Sequence, residues 1–271
     1  MTAADGTNLF VSESGEGDDI LFIPGLGYAT WSWHYQVGPI SKIGRVLLMD
    51  NRGAGRSDKP EGPYSIEQMA DDAYHVLRQR AAGPAHVVGA SMGGYIALTL
   101  ALRHPEAVAS LTLMATTSGG RGARPVPTDT RMAWAAAVSL GPTEFARTTM
   151  PLSLAPGWAE EHPEEFEMLL DLRNQASTPI EGWQAQYSAC AAYLQRGLPD
   201  GVIDQPAVIV HGTSDRVVPY ENASHLARRL PQASIVILQK TGHLCWIEKA
   251  DTVNSIIRNV VRGNPIQERA R

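Results

Sequence analysis

The chain of 271 residues is long enough to bury roughly 70% of its open-chain surface around one large core. Its 44% apolar and 19% charged residues exclude a disordered chain, and no run reaches the ~20 unbroken apolar residues of a membrane span. A formal charge of −5, with no basic run to neutralise a phosphate backbone, argues against nucleic acid as a partner.

Short β-branched runs alternate with helical patterns from the start, which predicts a mostly parallel sheet flanked by helices on both faces. An opening strand begins at 9–11, followed by strands at 20–23 and 46–49. Next comes the clearest helix, where Ser65 and Gln68 make a capping box and Ile66, Met69, Ala70, Ala73, Val76 and Leu77 line one face. Gly83-Pro84 stops it before a strand at 87–88. A second helix starts after Ser91, carries little polarity from Tyr95 to Leu102, and ends before Pro105. Further strands follow at 108–114, 208–210 and 235–238. Between them the alternation breaks, and 117–200 is predicted to be a helical lid inserted into a core of 1–116 and 201–271. The insert holds ten acidic residues against six Arg. Of its aromatics, Trp134, Trp158, Trp183 and Tyr187 are candidate pocket residues, and so aromatic a lid favours an uncharged, fairly apolar substrate. Residues 262–271 form a polar tail.

No Lys or Arg precedes Lys42, so the opening lacks the positive region of a secretion signal, and the protein is expected to be soluble and cytoplasmic. Cys190 and Cys245 have no metal-ligand spacing and read as free thiols.

Gly89-Ala90-Ser91-Met92-Gly93 lies directly between a strand and a helix. This G-x-S-x-G turn projects its hydroxyl above the sheet's carboxyl edge, beside the N–H groups that open the helix. A neutral serine needs a base, and the base needs an acceptor to orient it. His243, in Thr241-Gly242-His243-Leu244, and Asp215, in His211-Gly212-Thr213-Ser214-Asp215, each follow a strand and supply both. Asp50 and Asp58 are weaker acid candidates in a Gly-rich turn, expected to brace it, and His211 is expected to pack or hydrogen-bond within the acid loop. Histidines 34, 75, 86, 104, 162 and 225 read as surface or packing residues. The backbone N–H of Met92 and, from Pro24-Gly25-Leu26-Gly27, that of Leu26 are the candidate oxyanion donors.

These motifs, in the order Ser91, Asp215, His243, resemble the α/β-hydrolase fold family over nearly the whole chain. Within it the chain is similar to small esterases and lactonases that include 3-oxoadipate enol-lactonases. Pro24 departs from the His that many relatives carry before the oxyanion Gly, which touches side-chain contributions alone because the donor is backbone. Ser91 excludes the dehalogenase and epoxide-hydrolase branches, which need Asp there. The resemblance implies a serine hydrolase of a small-molecule ester or lactone that requires no metal, nucleotide or flavin. Carbon-carbon bond hydrolysis or a biosynthetic lyase or cyclase step on the same triad stays open, as does a ligand receptor without turnover, and the oligomeric state is not readable.

Overall fold

The computed structural model describes residues 1–265, so the predicted tail lies outside the described residues from 266 onward. Seven strands form one sheet: β1 (Val11–Ser14), β2 (Asp19–Ile23), β3 (Arg45–Met49), β4 (Ala85–Ala90), β5 (Val108–Met114), β6 (Ala207–Gly212) and β7 (Ala233–Leu238). Their spatial order is β1-β3-β2-β4-β5-β6-β7, and every pair is parallel except β1 with β3.

Period-two alternation divides the side chains between two cores. Leu21, Ile23, Val87, Leu111 and Ile209 face one side, while Ile20, Phe22, Val88, Met114 and Val210 face the other. On the first side, helices α2 (Ile66–Arg80) and α3 (Met92–Arg103) contribute Met69, Ala73, Val76, Ile96 and Leu100. Trp33 and Ile40, the latter closing α1 (His34–Ile40), pack on the second.

Ser65 caps α2 as predicted by accepting the Gln68 N–H at 3.0 Å. The reciprocal half of the box is absent among the described residues, because the Gln68 side chain donates to Asp5. The opening strand begins later than expected, at Val11 opposite Met49. Leu9 exchanges backbone hydrogen bonds with Met1 instead, and Phe10 keeps one last link beyond β3, its carbonyl accepting the Asp50 N–H at 3.1 Å while its own N–H donates to Ser57 Oγ.

Between β5 and β6 the chain forms no strand and builds α4 (Thr128–Ala137), α5 (Pro142–Thr149), α6 (Trp158–Glu161), α7 (Pro163–Gln175) and α8 (Ile180–Arg196). Helix α9 (Asn222–Ala227) separates β6 from β7, and α10 (Cys245–Glu248) and α11 (Ala250–Val261) follow. Cys190 and Cys245 are buried free thiols. No described helix is long and apolar enough to cross a membrane.

Candidate active site

Ser91, Asp215 and His243 stand just past the carboxyl ends of β4, β6 and β7, and the Gly25–Gly27 loop just past that of β2. Ser91 adopts φ 53° and ψ −118°, a strained backbone for a residue with a Cβ. Its N–H donates to the Met114 carbonyl at 2.9 Å, and its carbonyl accepts from Thr116 Oγ1 at 2.8 Å. The flanking glycines are steric necessities: a Cβ on Gly93 would lie 2.0 Å from the Ile23 carbonyl oxygen, and one on Gly89 would lie 2.4 Å from that of Gly93.

Asp215 is buried, and its two oxygens divide the work. Oδ1 accepts the Val217 and Val218 N–H groups, each at 2.8 Å, while Oδ2 accepts His243 Nδ1–H at 2.8 Å. His211 Nε2 approaches Oδ2 at 3.3 Å and donates to the Val218 carbonyl at 2.8 Å, which is the hydrogen-bonded role expected of it. Burial pushes the Asp215 carboxyl up, but the charge and bonds of His243 and His211 outweigh it and hold the group well below the usual carboxylate range. With Nδ1 committed to Asp215, His243 keeps Nε2 free, and its ring lines the cavity that Ser91 also lines. No Ser91–His243 hydrogen bond is formed among the described residues, a gap common in enzymes without substrate. Glu248 Oε1 accepts the Gly242 N–H at 3.0 Å and steadies the histidine loop, and burial raises its carboxyl.

Neither the Leu26 N–H nor the Met92 N–H donates to any described group, and Leu26 lines the same cavity. Gly25 packs so close to Ser91 that an added Cβ would sit 3.2 Å from the serine Cβ. Asp50 braces its turn through the Thr30 and Arg56 N–H groups, and Asp58 accepts from the Asn8 backbone, so the structure assigns neither to the histidine.

The cavity measures about 410 Å³. Trp134, Trp183 and Tyr187 line it, joined by Phe145 and Tyr95. Trp158 does not. It follows the left-handed Gly157, stacks on His162 at 4.6 Å between ring centroids and packs into the second core.

Sequence reasoning missed Arg173, and no local pattern marks it. It lies on α7 near the buried Leu169 and Leu170, is 8% exposed and lines the cavity. It forms no ion pair with any described carboxylate, and its guanidinium sits 4.9 Å from the Tyr28 ring centroid. Burial pulls its pKa down. Nine of the insert's ten acidic residues are exposed and the tenth, Glu165, accepts from the Tyr35 hydroxyl; none lines the cavity, whose charged wall residues are Arg124, Arg131 and Arg173.

Known proteins share this fold. The chain is 30% identical to 2-hydroxymuconate semialdehyde hydrolase of Pseudomonas putida, over 96% of this chain and 92% of that protein. It superposes with a TM-score of 0.82 on an enol-lactonase from Burkholderia xenovorans, at 28% identity over 95% of this chain and 98% of the other. A thermophilic esterase from Thermogutta terrifontis matches with a TM-score of 0.79, at 27% identity over 97% and 96% of the two chains. The model of the alpha/beta hydrolase fold matches residues 19–250, and the chain belongs to the α/β-hydrolase family.

Proposed function

We propose that the chain is a serine hydrolase of a carboxylic ester or lactone, with residues 117–200 serving as a lid over a core of 1–116 and 201–271. The observation that carries this reading is the buried Asp215–His243 pair, which leaves Nε2 free beside an elbow serine and two uncommitted backbone donors. Ser91 Oγ attacks the carbonyl carbon while His243 Nε2 takes its proton, and the imidazolium is held against Asp215. The oxyanion lies between the Leu26 and Met92 N–H groups. His243 then protonates the leaving alkoxide, and a water that it deprotonates releases the acid. Every step uses groups of this chain acting on a small molecule in the cytoplasm.

The cavity wall revises the expected substrate. A buried cation without an anionic partner is costly unless the ligand supplies one, so Arg173 favours a substrate carrying a carboxylate beside an apolar body against Trp134, Trp183 and Tyr187. The same arginine favours, as a second reading, hydrolytic cleavage of a carbon-carbon bond in an acidic substrate, in keeping with the likeness to the semialdehyde hydrolase. A panel of acidic esters, lactones and β-diketones separates the two.

The test is Ser91→Ala. Turnover of a p-nitrophenyl ester is expected to fall by ~10⁴-fold or more, and labelling by a fluorophosphonate, which phosphonylates the serine as fluoride leaves, is expected to vanish. Undiminished turnover in that variant removes the proposal.

A further inference from the structure

We infer that Gln186 is a positioning residue for the oxyanion loop, so that the helical insert, rather than the sheet, aims the Leu26 N–H. The inference rests on the serine-hydrolase reading above. Gly25 and Gly27 flank Leu26, with Gly27 at φ +70°, and within the loop the Tyr28 N–H donates to the Gly25 carbonyl at 3.2 Å. That turn bond closes the loop but leaves the N–H and carbonyl of Gly27 to be held from outside it.

Both hydrogen-bonding groups of Gly27 are held by the insert. Its N–H donates to Gln186 Oε1 at 2.9 Å, and its carbonyl accepts from Thr178 Oγ1 at 3.2 Å. Trp183 closes the third side, since a Cβ on Gly27 would lie 2.6 Å from the indole Cδ1. The core holds the rest of the loop: Asn51 Nδ2 donates to the Pro24 carbonyl at 3.0 Å, Gly25 packs against Ser91, and Asp50 accepts the Thr30 N–H at 2.6 Å.

Gln186 is fully buried, and its orientation is settled by its two partners. Nε2 donates to the Arg52 carbonyl at 2.8 Å, so Oε1 must face Gly27; a flipped amide would set donor against donor and acceptor against acceptor. One side chain of α8 therefore bridges two loops of the core beside the serine. Trp183, one turn earlier on the same helix, also lines the cavity, so movement of α8 away from the core would release the oxyanion loop along with the cavity wall.

The experiment compares Gln186→Leu, Gln186→Glu and Thr178→Val with wild type, using p-nitrophenyl butyrate as substrate. Two inhibitors accompany it. One is an aliphatic trifluoromethyl ketone, to whose carbonyl carbon Ser91 Oγ adds while its proton passes to His243, leaving an oxyanion. The other is propylbenzene, a hydrocarbon with no oxygen to place. Gln186→Leu is expected to lower kcat by about 10- to 100-fold, to leave KM within about threefold, and to weaken the ketone in step with kcat while propylbenzene binding stays put. Gln186→Glu keeps an acceptor for the Gly27 N–H and is expected to recover part of kcat.

Unchanged kcat and ketone affinity in Gln186→Leu overturn the inference. So does a parallel loss for substrate, ketone and propylbenzene, the mark of a residue that merely shapes the cavity. If Gln186→Leu does not fold, Thr178→Val carries the test with the same signature at smaller amplitude. Fluorophosphonate labelling separates the two levels. Wild type that is neither labelled nor dependent on Ser91 defeats the serine-hydrolase reading itself, whereas labelled, Ser91-dependent wild type beside an unaffected Gln186→Leu defeats only the role of Gln186.

Discussion

Replacing Arg173 by Met should move selectivity and stability in opposite senses. The side chains have similar length, so the apolar stem along α7 survives while the guanidinium is lost. For a substrate carboxylate, two charge-assisted N–H···O bonds at about 1.5–3 kcal/mol each contribute, in the more cautious reading, about 3 kcal/mol together. At 1.36 kcal/mol per decade this is a loss of about 10²-fold in kcat/KM. For stability, a buried charge without a partner costs on the order of 3 kcal/mol, and the contact with the Tyr28 ring returns about 1 kcal/mol of it. Removing both leaves about 2 kcal/mol of stabilisation. With an unfolding entropy of ~2.1 cal/mol/K per residue over this chain, Tm should rise by about 3.5 °C. The assay pairs p-nitrophenyl butyrate with the p-nitrophenyl half-esters of succinic, glutaric and adipic acids, beside a thermal melt. The variant should keep the neutral ester within about threefold and lose the half-esters. An equal loss on both series, or a drop in Tm with selectivity unchanged, would falsify the assignment of Arg173 to a substrate anion and make it a structural fixture.

Asp215→Asn is expected to lower kcat by about 10⁴-fold with little change in KM. The Val217 and Val218 N–H groups hold the amide oxygen, so the amide nitrogen is turned toward His243 Nδ1 and the ring's proton is forced onto Nε2. The stabilisation that the charged Asp215 provides is complete above the unfolded carboxylate pKa and is lost as pH falls toward its depressed folded value. The stability gap between wild type and Asp215→Asn, followed by urea unfolding, should therefore narrow between about pH 5 and pH 2; a gap that widens on acidification would contradict this account. Asp72→Ala removes both oxygens that hold the buried Arg52 guanidinium at 2.6 and 2.7 Å, leaving it the half-exposed Asp5 carboxylate at 2.8 Å, and should cost about 3 kcal/mol. Most of that loss should return in Arg52→Met/Asp72→Leu, measured by the same unfolding; a single variant within about 1 kcal/mol of wild type refutes the pair's importance.

Much of the site could be read along the chain because its requirements are local. The elbow needs glycine where the backbone of Gly93 meets the Ile23 carbonyl, and strand ends advertise themselves by where β-branched runs stop. The positions of Asp215 and His243 follow from the same logic, each a polar residue beyond the carboxyl end of a strand, the buried β6 and the half-buried β7. The insert resisted such reading. Trp158 and Trp183 are alike as letters, yet one is turned into the core behind a left-handed glycine and the other lies against Gly27. Gln186 is one glutamine among several until α8 docks and both ends of its amide find partners 134 and 159 positions away.

What the sequence determined, then, was the alternating α/β frame and the identity of the residues at its carboxyl edge, because periodicity and turn sterics act between neighbours in the chain. What only the tertiary structure decided was the character of the cavity. The insert's net charge is negative, but nine of its ten acidic side chains remain exposed and none lines the cavity, while Arg173 is carried inward by helix packing. Which face of a helix turns inward is settled by apolar burial over the whole assembly, and a single charge can be drawn along with it. The electrostatics of the cavity therefore oppose those of the segment that supplies much of its wall.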